Sequence, residues 1–338
     1  MLSTPIFNFI LQFLLLPLFF FPQENISYFH NTNYIKPMKI FYDSTSGGKF
    51  NWNFPYKIFS DHKNKIYVVD FGNDRVLIYD SIMNYVNQLG RSGSGDGEFN
   101  KPSSIFIDRN ENVYVLDLGN ERIQMFSKEL KLLTKIKIPK KTMHFTVDHD
   151  GSIYLSIPAK EGLFMKIDRE GKFKKYFGNL IDLEKKNNAR NISKLYYDYD
   201  AKQICAVFNF FPIVQYYSTK GKLIKTVKLH NKNLTEINNL VNINEIPTLS
   251  HFYTNTHDMC IRNDKCYILI PHGKNIPACV YIISKKGKKI GEIFLRDENN
   301  LPLKKPVSIT VNDHNKLFVS TADNRVVIFQ LNLKKYPF

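Results

Sequence analysis

The sequence predicts an all-β fold, a six-bladed β-propeller whose last blade is completed by a strand from the N-terminal region. Three observations carry this. A block of the chain recurs 47 residues later: Pro55, Tyr67, Asp70, Gly72, Asn73 and Arg75 return as Pro102, Tyr114, Asp117, Gly119, Asn120 and Arg122. Short segments rich in β-branched and aromatic residues, separated by polar turns, then continue along the chain. Units of four such strands, repeating every ~40–50 residues, are propeller blades that bury their faces only against neighbours. Finally, the last unit supplies three strands before the chain stops, and an apolar segment at 38–42 stands ready as the fourth, removing an exposed sheet edge.

The elements follow in order. Blade one reads as strands at 56–59, 65–69, 75–79 and 85–89, and blade two repeats it at 104–107, 112–115, 122–126 and 132–136. Blade three falls at 144–147, 152–155, 164–167 and 174–177, with Asp148-His149-Asp150-Gly151 as its first turn. Blade four falls at 195–197, 203–207, 214–217 and 223–227, and blade five at 259–261, 266–270, 279–283 and 290–293. Blade six runs through 307–311, 316–319 and 325–329 before borrowing 38–42. Gly47-Gly48-Lys49-Phe50 echoes Asp96-Gly97-Glu98-Phe99, the end of the link between blades one and two. Two longer insertions, 178–191 and 229–256, exceed what a blade connection needs; the first suits a short helix, and both suit loops over one end of the ring.

The propeller therefore occupies 38–332, preceded at 1–24 by an apolar leader. Asn8, Gln12 and Pro17 interrupt that leader, which fits a signal peptide better than a spanning helix. No Lys or Arg precedes Lys36 and no small-x-small cleavage site follows, so an uncleaved membrane anchor stays open. Composition supports a large buried core, with 43% hydrophobic and 14% aromatic residues. The formal charge of +16 would suit a polyanion, but only nine of the 47 basic residues are Arg, the better donor to phosphates and bases. A generally basic surface is the plainer reading, and nucleic acid is disfavoured as a partner.

Cys205, Cys260, Cys266 and Cys279 lack zinc-site spacing. Cys260 and Cys266 flank a hairpin turn at Arg262-Asn263-Asp264, so bridges and buried thiols both remain open. Three Asn-x-Ser/Thr sequons, at Asn25, Asn191 and Asn233, would be exposed in a chain made in a glycosylating secretory pathway, but an Asn-rich chain supplies several by chance. The glycines of 90–97 lack the Lys-Ser/Thr ending of a phosphate loop and read as a flexible interblade turn.

Residues 102–108 and 112–126, with the Gly-rich link 90–99 before them, resemble an NHL repeat. The resemblance is strong over 53–127, partial over 306–330 and weak between. It implies a six-bladed propeller without fixing an activity, since such propellers serve as RNA-binding modules, extracellular interaction domains or a metal-dependent lyase. The recurring Asp-x-Gly-Asn-x-Arg suits a tight turn better than catalysis, because a catalytic pair is needed once and a turn in every blade.

Functional candidates are the residues that differ between blades at one shared inner-strand position: Lys57, Ser104, His144, Lys194, Asp258 and Ser308, with His257 beside them. They are expected near the mouth of the central channel as a ligand site. His144, His257 and Asp258 have the donors for a divalent metal, although two lysines nearby would repel it. No cofactor is otherwise predicted, and no GxSxG, P-loop or HExxH motif marks an enzyme. The sequence thus points to an exported or membrane-tethered binding protein, monomeric, secreted, periplasmic or anchored outside the cytoplasm. It would present a propeller face to a peptide, glycan or protein partner. The alternatives are a metal-dependent lyase or lactonase in the channel, or RNA binding through a basic face.

Overall fold

The computed structural model describes residues 34–42, 51–159, 161–181, 191–230, 234, 256–271 and 277–333. The leader, the 47–50 tetrad, two of the three sequons and most of both insertions lie outside them. Six sheets form the blades, each an antiparallel run from inner to outer strand. The inner strands are Pro55–Ser60, Pro102–Ile107, His144–Val147, Ser193–Asp198, Asp258–Arg262 and Pro306–Val311. Pro55, Pro102 and Pro306 open their strands, where a missing N–H costs nothing in the ladder, and each is followed by a register shift.

The outer strand of the sixth sheet is Lys39–Tyr42, antiparallel to Arg325–Gln330 with Phe41 opposite Val326. An addition not foreseen in the sequence precedes it. Tyr34–Ile35 pairs in parallel with Lys289–Leu295, giving blade five a fifth strand. There the Arg296 guanidinium stands 3.5 Å above the Tyr34 ring, a geometry in which the ring face attracts the cation.

The core lies in the seams between blades. Val69, Val76 and Leu89 of blade one meet Ile105, Val113 and Val115 of blade two, and Ile58, Val68 and Leu77 meet Phe318, Val326 and Ile328 of blade six. Trp52 is buried in this second seam and donates to the Tyr79 hydroxyl at 3.0 Å. Each fully buried aliphatic side chain contributes ~1.5–3 kcal/mol, so alternation along every strand is what winds the ring.

The repeated motif has a specific task. Asp70 accepts from the Asn53 N–H at 2.7 Å, from Asn73 at 2.9 Å and from Arg75 at 2.8 Å, while Arg75 and Asn73 both reach the carbonyl of Asn51. Asp117, Asn120 and Arg122 do the same for Asn100 and the carbonyls of Gly93, Gly95 and Glu98. The motif thus clamps the link arriving from the previous blade. The left-handed residues are Asp74 and Glu121, at φ of 52° and 53°, rather than the glycines. Gly72 is required for close approach instead, since a Cβ there would lie 2.7 Å from the Asn53 carbonyl oxygen.

Three further features bear on the sequence reading. The link 90–99 is tied, not flexible: Phe99 and Arg91 share a backbone bond of 2.8 Å, and Gly95 N–H donates to Glu98 at 2.9 Å. The four cysteines are unbridged, and Cys260 faces Tyr267 while Cys266 faces Ile261, so the pair does not meet across the hairpin. Asn191 is fully buried and accepts from the Ile181 N–H at 2.8 Å, which removes it as an exposed sequon. Among the described residues, no helix is long and apolar enough to cross a membrane.

Candidate functional site

Of the residues at the shared inner-strand position, Lys57, Asp258 and Ser308 bond to one another with Lys194 close by, and Lys57 and His144 line a cavity. Lys57, Ser104, His144, Asp258 and Ser308 are all buried, and Lys194 and His257 are partly so. Asp258 is the hub. Its carboxylate accepts from Lys57 at 2.8 and 2.9 Å, from the Ile309 N–H at 3.0 Å, and from the hydroxyls of Tyr196 and Ser308. Lys194 Nζ stands 3.9 Å away. Burial alone would raise the Asp258 carboxyl, but the two ammonium groups and these hydrogen bonds hold it well below the usual carboxylate range. Burial lowers both lysines, against the pull of Asp258.

Blades two and three meet this network differently. His144 Nδ1 accepts the Leu195 N–H at 3.2 Å, which places the ring proton on Nε2, and Nε2 is buried without a partner among the described residues. Burial and the two lysines push the imidazole well below its ordinary value, so it is neutral. The hydroxyls of Ser104 and Thr146 are also buried without partners.

The donor atoms of His144, His257 and Asp258 are engaged separately. Asp258 is saturated, His144 turns its lone pair to Leu195, and His257 Nδ1 lies 3.3 Å from the Pro306 carbonyl. Among the described residues, the cluster whose ligand atoms do lie together is Asp148, His149 and Asp150 on blade three. There Asp148 already caps its own turn and binds the Tyr154 hydroxyl at 2.7 Å.

From Lys57 and His144 a cavity of about 470 Å³ runs along the channel to the exposed Arg109, Asp200, Asp264 and Asp313. Its outer end is framed by the turns after the inner strands. In five blades such a turn begins with an Asx residue, Asp61, Asp108, Asp148, Asp198 or Asn312, whose side chain accepts from nearby backbone N–H groups. Blade five has Arg262 instead. A two-residue turn, with Asn263 at φ 48° and Asp264 at φ 60°, replaces the Asx turn. The freed guanidinium donates to the carbonyls of Ser60, Asp61 and Val311 at 2.9, 2.7 and 3.0 Å, joining blade five to blades six and one. Asp200 pairs with Arg109 and Lys285, both at 3.0 Å. Tyr196, Arg262 and these ion pairs were not singled out from the sequence. Tyr196, two residues after Lys194 on one strand and so on the same face, was the most accessible to such reasoning.

A family model described as a six-bladed β-propeller matches residues 55–321. The chain belongs to this family, DUF5128. Among solved structures, the DUF5128 chain resembles a streptogramin B lyase at 13% identity and a TM-score of 0.57, covering 87% of this chain and 98% of that one. It is also similar to a putative exported protein from Bacteroides fragilis, at 14% identity and 0.57, covering 82% and 90%. An auxiliary nutrient binding protein from Bacteroides ovatus aligns at 12% and 0.57, covering 82% and 69%. At such identities the likeness is one of fold. No curated protein matches the sequence.

Proposed function

We propose that this DUF5128 propeller is an extracytoplasmic binding protein, secreted or tethered by its apolar leader, that holds a peptide, glycan or protein segment at the open end of its channel. The observation carrying this reading is the cavity of about 470 Å³ that ends on the Lys57 ammonium and the neutral His144 imidazole. A concave site with a few convergent polar groups is the usual form of a ligand pocket. The apolar leader agrees with export, and the exported and nutrient-binding proteins of similar fold agree with an extracytoplasmic binding role. A lyase would need free carboxylate or imidazole acceptors in the channel, and Asp258 and His144 have committed theirs.

The test offers the purified full chain a mixture of short peptides, oligosaccharides and small organic acids, with retained molecules identified by mass spectrometry after ultrafiltration. One class is expected to be held stoichiometrically and lost in Ile261→Trp, which fills the cavity from a half-buried position. Retention of nothing, or retention untouched by Ile261→Trp in a folded protein, overturns the reading.

A further inference from the structure

We infer that the inner end of the cavity, lined by Lys57 and His144, receives a compact oxyanion, the carboxylate or phosphate group of the ligand, held by His144 and by Lys194 of the adjoining Lys57–Asp258 cluster. This rests on the binding reading above and names the chemistry of its deepest contact.

Three features of the cluster ask for the same complement. The first is charge. Two ammonium groups, that of Lys57 buried and that of Lys194 partly so, share one carboxylate, so the cluster of Lys57, Lys194 and Asp258 carries one uncompensated positive charge. The second is saturation. Asp258 already accepts from Lys57, Tyr196, Ser308 and Ile309. Lys194 is left 3.9 Å from its nearest carboxylate oxygen and 5.7 Å from the Tyr56 ring centroid, with no hydrogen-bond acceptor among the described residues. An uncompensated buried charge is expensive, and a fixed anion would remove that cost.

The third feature is the type of the unpaired groups. His144 Nε2 carries a proton and lacks an acceptor, while Ser104 and Thr146 present hydroxyls without partners. His144 and Thr146 line the cavity, and Ser104 occupies the matching position of the adjacent blade. The set is therefore rich in donors and poor in acceptors, the inverse of a cation site. A neutral imidazole also donates without adding charge, and its low basicity keeps it a donor of one fixed tautomer. An oxyanion between Lys194 and His144 would receive a charge-assisted bond and a neutral one, leaving the Lys57–Asp258 pair in place.

Nitrogen NMR of the histidine rings in the full chain tests this, with His144 assigned by loss of its signal in His144→Gln. Sodium acetate and inorganic phosphate are titrated separately at constant ionic strength, with acetamide as the neutral control. A saturable shift of His144 with one or both anions, absent with acetamide, is expected; the arm that responds distinguishes carboxylate from phosphate. Lys194→Met should weaken that anion by about tenfold or more, and Lys194→Arg should restore it. No saturable shift with either anion, or one equally produced by acetamide or unchanged in folded Lys194→Met, overturns the inference. If a neutral ligand is retained in an Ile261-sensitive way while both anions fail, the anion site falls and the binding reading stands. Anion binding without any retained larger ligand gives the reverse.

Discussion

Blades one and two share the residues of their clamps and turns, whereas blade five fills the same positions with different ones. Where Asp70 faces Arg75 and Asp117 faces Arg122, blade five sets Ile270 opposite Cys279. Where the first two turn with Asp61 and Asp108, it carries Arg262; where they place Lys57 and Ser104, it places Asp258. The repeated residues spend their hydrogen bonds within a blade and on the link entering it. Those of blade five reach outward, Asp258 to blades one, four and six and Arg262 to blades one and six. Repetition thus builds the ring, and departure from it builds the channel.

The largest test of this contrast is Asp258→Ala, which strands Lys57 and Lys194 together in a buried site and should cost ~3–5 kcal/mol in urea unfolding near neutral pH. Because the folded carboxyl is held below its unfolded value of about 4, the unfolded chain binds more protons in that interval. Stability from Asp258 is therefore complete above that value and drains away as pH falls toward the folded one; Asp258→Asn should flatten this acid limb. A cost under ~1 kcal/mol would mean the hub is dispensable.

An intermediate effect is expected at the clamps. In Gly119→Ala the new methyl would sit 2.5 Å from Asn100 Cγ and 2.7 Å from its carbonyl oxygen, and Gly72→Ala meets Asn53 in the same way. Both should lose ~1–3 kcal/mol by thermal or urea unfolding, and by similar amounts. A loss at one position alone would break the equivalence of the two blades.

The smallest effect belongs to His144. Neutral in the fold, it leaves the unfolded chain to bind the extra proton as pH drops below about 6.5, so stability declines there. His144→Gln should remove a slope of at most ~1.4 kcal/mol per pH unit. An unchanged slope would show that the imidazole titrates alike in both states.

The ring was legible because its signals are local and repeated. The Asp-x-Gly-Asn-x-Arg motif, the apolar alternation and the count of strands after residue 306 can all be read from one stretch at a time. Aligning blades on one inner-strand position also brought out Lys57 and Asp258, which do bond. It could not show that Asp258 would be saturated, because Tyr196 and Ser308 are its partners only through the curvature of the ring. Arg262 was hidden for a related reason. It stands where the pattern requires an Asx residue, and it acts through backbone carbonyls, which no sequence displays. The pairing of Asp200 with Arg109 and Lys285, across 91 and 85 positions of chain, depends likewise on which turns share a rim.

The 201 positions separating Lys57 from Asp258 have an outcome for assembly. No fragment of a few blades contains both, and a partly wound chain holds them apart, so the pocket comes into existence only when the wheel is whole. Anything that occupies it then selects the finished molecule over every incomplete form, and its uptake doubles as a gauge of how much of a population has completed folding.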